Sequence, residues 1–115
     1  MPQFAILIYS EDSRHAVDAT RADLAVPDAH ARALAESGAL RAAYAFTPRD
    51  LARSIRATGV TNGPFVDDRH AVAGVYVIEA PTWDAALAIA ASNPEVELGG
   101  GVEVRLIHGG GPVEG

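Results

Sequence analysis

Apolar positions along the chain follow two rhythms, and each predicts a kind of element. Gln3 to Tyr9 (QFAILIY) is a nearly continuous apolar run of β-formers, which predicts a strand buried on both faces and central in its sheet. Val72 to Glu79 (VAGVYVIE) is a second strong strand, and Val102 to Ile107 (VEVRLI) alternates strictly, giving one apolar and one charged face. Ala39 to Phe46, closed by the turn Thr47-Pro48-Arg49-Asp50, and Ala52 to Thr58, ended by Gly59, are shorter strand candidates. Pro27 to Ser37 predicts a helix. Pro27 sets a helical φ, Asp28 puts a carboxylate in the first turn, and Gly38 stands where a left-handed C-cap belongs. A second helix opens at Pro81-Thr82-Trp83-Asp84 with Thr82 as N-cap, runs through Ala85 to Ala91, and stops at Asn93-Pro94. Ser10 to Val26 is polar and acidic, a loop or irregular helical turn. Thr61 to Phe65 is turn-rich, since Asn-Gly favours positive φ and Pro then restricts the chain.

This order predicts an α+β fold of the ferredoxin-like kind: two split β-α-β units in an antiparallel sheet, with two helices on one face. Residues 1–108 form the domain and 109–115 a Gly- and Pro-rich tail expected to fray. The other sheet face has no cover in one chain, and soluble monomers rarely expose a large apolar patch. Packing against a second copy across a two-fold axis would cover it, so a homodimer through the open face is expected.

Composition narrows the partners. A chain of 115 residues fits one domain, and a domain this small commonly gains from oligomer formation. Lys is absent, all basic residues are Arg, and the net charge is −6, which argues against nucleic acid because phosphate binding needs clustered positive charge. The absence of Cys excludes disulfides, thiolate catalysis and iron–sulfur or Cys-zinc sites. No apolar run reaches the ~20 residues of a membrane helix. Met1-Pro2-Gln3 lacks the basic start of a secretory signal, so a cytoplasmic location and no membrane partner are expected.

Thr61-Asn62-Gly63-Pro64-Phe65-Val66-Asp67-Asp68, followed by the Gly-containing strand Val72 to Glu79, resembles the YCII-related family, in particular the branch named for its Asp-Gly-Pro-Phe motif. Gly99-Gly100-Gly101-Val102-Glu103-Val104-Arg105 is similar to the family's Gly-rich turn into a Glu-Val-Arg strand. Pro27-Asp28-Ala29-His30-Ala31-Arg32 before Gly38-Ala39-Leu40 is similar to its helix with an early His. The resemblance implies a ferredoxin-like fold that pairs into a dimeric α/β barrel, with a site built around a histidine and an acid between helix and sheet. It implies no assigned activity, though some members neighbour or join alternative sigma factors. Two positions depart from the pattern. Asn62 stands where the motif has Asp, and Asp67-Asp68-Arg69-His70 replaces the acidic-Lys run that commonly follows Phe.

His30 near the helix start is the candidate proton acceptor, because a helix dipole favours neutral imidazole. It could equally be a core-edge histidine. Asp67 is the candidate acidic helper; Asp67 and Asp68 point to opposite sides of an extended segment, so one at most faces a cleft with His30. Asn62 and Phe65 could form a rigid ligand-facing loop, or an ordinary turn and a hydrophobic plug. Tyr76 could bond a ligand or simply pack. Glu103 and Arg105 share a strand face and either orient a polar ligand inside a dimer or form a solvated pair. The four histidines lack zinc-site spacing, and the glycine clusters lack the context of a phosphate loop, so no metal and no cofactor are expected. Two functions remain: a cofactor-less enzyme moving protons on a small organic molecule, or a non-catalytic accessory module binding a small ligand or a protein.

Overall fold

The computed structural model describes residues 1–13, 15 and 18–113. Four strands make the main sheet: β1 (Gln3–Ser10), β2 (Leu40–Ala45), β5 (Ala71–Glu79) and β6 (Gly101–Leu106), in the order β2-β5-β1-β6, with every neighbouring pair antiparallel. Each β-α-β unit therefore has a strand of the other unit inserted between its own two, as the predicted split arrangement requires. Helices α1 (Ala25–Glu36) and α2 (Trp83–Ala91) supply the crossovers, and a single turn, α3 (Pro94–Glu97), follows α2. No helix among the described residues is long and apolar enough to cross a membrane.

The core lies between the helices and one sheet face. Phe4, Ile6 and Ile8 of β1 and Tyr76 and Ile78 of β5 are buried beneath Ala86 and Ala90 of α2, with Ala31 and Leu34 of α1 packed alongside. The small residues of α2, four apart on one helix face, let it sit close to the sheet. Trp83 closes the end edge-on against Phe4, with ring centroids 5.0 Å apart. Thr82 caps α2 as predicted, its hydroxyl accepting from Ala85 N at 3.1 Å.

Helix α1 begins two residues ahead of Pro27. Thr20 and Asp23 bond each other's backbone N–H reciprocally and organise the entry, which leaves Pro27 inside the first turn, where its missing N–H needs no partner. The helix ends at Glu36, and Gly38 takes the left-handed conformation with φ of 83°. Within the predicted Ser10–Val26 loop, residues 14, 16 and 17 lie outside the described set, as do 114 and 115 of the tail.

The expectation that β1 is buried on both faces is corrected. Side chains alternate buried and half-buried along it, because both long helices pack on one side only. The register sets Tyr44, Val75, Leu7 and Glu103 in one row across the second face, and Ala42, Val77, Ala5 and Arg105 in the next. Its centre is apolar and its β6 edge is charged.

The expected strand Ala52–Thr58 forms over a shorter span, β3 (Arg53–Arg56), and pairs only with β4 (Gly59–Asn62), a segment whose end was expected to be turn. The β-branched Ile55, Val60 and Thr61 favour this local ladder. A 3-10 turn at Arg49–Leu51 leads into it.

Candidate functional site

A cleft of about 60 Å³ opens where α1, the C-terminal end of β1, the first half of β5 and the start of α3 meet. A bulge shapes its floor. Ile8 pairs with Gly74 and Tyr9 with Val72, so Ala73 is the extra residue, and its carbonyl oxygen accepts from Phe46 N at 2.9 Å. A Cβ on Gly74 would stand 2.7 Å from the Tyr44 carbonyl oxygen, so only glycine lets β2 close against β5 here. Ala73, Gly74 and Tyr76 line one side, Val26 and Pro27 of α1 another, and the walls are mostly apolar.

His30 lies three residues beyond Pro27 on the same helix face and stacks on the Tyr76 ring, with centroids 5.9 Å apart and planes 18° from parallel. Burial pushes the imidazole below its ordinary value, and no helix-dipole argument is needed because the residue falls in the second turn. Burial, and then the charge of Asp28, push the Tyr76 phenol up. At neutral pH the pair is uncharged, a donor-acceptor aromatic stack beside an apolar cleft. Among the described residues no hydrogen bond engages the His30 ring.

The rim is polar. Asp12 accepts from Ser13 N at 2.8 Å through Oδ1, and Ser10 Oγ donates to the Asp12 carbonyl at 2.7 Å. Ser13 Oγ donates to the Phe46 carbonyl and accepts from His15 N at 3.1 Å. Buried Asn93 caps α3, its Oδ1 accepting from Glu95 N at 3.0 Å. Ser13, His15 and Asn93 all line the cleft, and sequence reasoning named none of them as site residues. The one signal available was position: loops at strand ends disproportionately carry function.

Of the residues the sequence nominated, the structure brings His30 and Tyr76 together, but only Tyr76 lines the cleft, His30 stacking on its ring without itself lining it, and the others lie elsewhere. The Asp67 side chain is 95% exposed and pairs with Arg49 at 3.4 Å, with no hydrogen bond to His30. Asn62 ends β4 opposite Arg53, and the positive φ of the motif falls on Gly63. Phe65 lies under Arg56, whose guanidinium carbon is 4.0 Å from the ring centroid and whose Nη2 donates to the Phe65 carbonyl at 2.6 Å. Neither Asn62 nor Phe65 lines the cleft. Glu103 and Arg105 pair at 3.4 Å on the open sheet face, both well exposed in the single chain. No group of three or more His, Asp or Glu among the described residues is arranged to hold a metal ion.

No curated protein matches this chain. The family model of the YCII-related domain matches residues 2–108, taking in every strand, both long helices and the whole cleft. By that match over nearly its full length, the chain belongs to the YCII-related domain family.

Proposed function

We propose that this domain binds a small, mostly apolar organic molecule in the cleft beside Tyr76. The observation that carries the reading is the cleft itself: apolar walls, an uncharged tyrosine on its floor, and a few polar groups from Ser13, His15 and Asn93 at its rim. That combination is the usual make-up of a small-molecule site. A cavity of about 60 Å³ holds on the order of four to six water-sized groups, which limits the buried part of the ligand to a short fragment. A melting screen against small organic acids, ketones and esters tests it. Stabilisation should grow logarithmically with ligand concentration and weaken in His15→Ala. A screen that moves the wild-type melting temperature nowhere at millimolar ligand overturns the reading.

A second reading adds turnover, and the state of His30 favours it. A neutral imidazole with no hydrogen-bond partner among the described residues can take up a proton, though burial weakens it as a base. Because His30 stacks on Tyr76 without lining the cleft, a reacting ligand has to reach past that ring. Asp67, committed to Arg49 and exposed, lends little support to a direct role beside it. Exchange of ligand C–H protons for deuterium, followed by NMR, should occur with wild type and stop in His30→Gln. Equal exchange in both leaves the protein an accessory binding module, the form in which a sigma-factor association would fit.

The active form in this proposal is a ferredoxin-like homodimer. The apolar rows across the open sheet face support pairing of two sheets into a dimeric α/β barrel, with Glu103 and Arg105 lining its inner edge. The loop Asn62-Gly63-Pro64-Phe65 supports a place in the Asp-Gly-Pro-Phe branch. A monomeric mass by light scattering at micromolar concentration counts against the dimer.

A further inference from the structure

We infer that Arg49 is a positioning residue for the cleft, clasping the loop that carries Ser13 and His15 to the loop that follows β4. The Arg49 guanidinium is surrounded by acceptors. Nη1 donates to the carbonyl oxygens of Glu11, at 3.3 Å, and Arg69, at 3.0 Å. Nη2 donates to the Asp68 carbonyl at 2.6 Å and to Asp67 Oδ1 at 3.4 Å. The side chain is only 20% exposed although it belongs to a surface turn. Its own backbone N–H donates to Asp12 Oδ1 at 2.9 Å, and that same oxygen accepts from Ser13 N.

One residue thus holds two segments far apart in sequence. Residues 11–13 lead into the cleft rim, while 67–69 have no residue in the cleft. Arg69 adds a second tie between the two, its Nε donating to Glu11 Oε1 at 2.7 Å. Only a planar fork with several fixed N–H directions meets carbonyl acceptors on both sides together; an ammonium is a point charge with three donors on a flexible stem. The clasp also gives Asp67 and Asp68 work that is not acid–base chemistry. The Asp67 carboxylate and the Asp68 carbonyl, with the Arg69 carbonyl beside them, form the far half of the anchor, so docking of residues 67–69 sets where Ser13 and His15 stand. The consequence for ligand binding rests on the cleft being the binding site; the clasp itself does not.

Amide order parameters of the full chain in Arg49→Met and Arg49→Lys test it without any ligand. In wild type, Ser13 and Arg69 should both be near the rigid limit of ~0.85, and in Arg49→Met both segments should fall below ~0.6 while β1 and β5 are unchanged. Arg49→Lys should loosen both segments as well, because length and charge alone do not rebuild the fork. It also serves as the decisive variant if the Met form fails to fold. Loosening confined to 67–69, or Arg49→Lys with wild-type values in both segments, overturns the clasp. The two claims fail separately: a ligand screen without a hit sinks the binding reading and leaves the clasp, whereas rigid loops in both Arg49 variants sink the clasp and leave the binding reading.

Discussion

Ile78 and Ile55 are the same residue type in two strands of one chain, yet Ile78 is wholly enclosed and Ile55 is 75% exposed. Ile78 sits on β5, between β2 and β1, under the helices. Ile55 faces Val60 in a two-stranded hairpin that no helix covers, and Val60 is 64% exposed. An isolated two-stranded ladder is marginal in water, so this one relies on the Ser54 hydroxyl bonded to the Gly63 carbonyl at 2.7 Å and on Gly63 N bonded to the Ala52 carbonyl at 2.7 Å. The contrast teaches that β-propensity formed both strands, while the layer set over them decided which one became core.

The largest effect is expected at the enclosed end. Ile78→Ala should cost about 2–5 kcal/mol in urea denaturation, since a cavity opens in a packed layer that cannot collapse. Next comes Gly74→Ala. Its Cβ meets a backbone oxygen rather than a side chain that can move, so about 1–3 kcal/mol should be lost, together with any ligand bound in the cleft. Third is pH. Because the folded imidazole of His30 lies below its ordinary value, the unfolded chain binds more protons in the window between the two. Stability from this source is complete above the ordinary value of about 6.5 and is lost as pH falls through the folded one. His30→Phe should flatten the urea midpoint across that window. Glu79, held below its ordinary value by its bond to Arg41 and then by Gln3, acts in the separate, lower carboxylate range with the same sign. The smallest effect is expected at Ile55→Ala, below about 0.5 kcal/mol in the single chain. A loss rivalling that at Ile78 breaks the contrast and puts the hairpin inside an assembly.

Much of the site's frame was legible beforehand. Pro27, Asp28 and Gly38 marked the helix that carries His30, and the run around Tyr76 marked the strand beneath it, because helix punctuation and strand patterning act over a few residues. Nearness of His30 to Tyr76 followed from helix-on-sheet packing once those elements existed. The motif loop was legible as a turn and not as the partner of Arg49, since nothing local in Thr47-Pro48-Arg49-Asp50 reports an acceptor eighteen or more residues away. His15 was passed over for the same reason: the Ser10–Val26 stretch has no period, and its place at the cleft rim depends on bonds through Ser13 to Phe46.

By itself the sequence determined the four strands of the main sheet, the two long helices, their split order, the Thr82 and Gly38 caps and the lack of any thiol, all consequences of short-range sterics, periodicity and composition. Tertiary structure alone decided that Asp67 turns to Arg49 and away from His30, that burial lowers the His30 imidazole below its ordinary value, and that the cleft draws its rim from the loop after β1. Those outcomes depend on which polar groups meet when distant segments pack, and hydrogen bonds and desolvation act only between groups that the fold has already brought within a few ångströms.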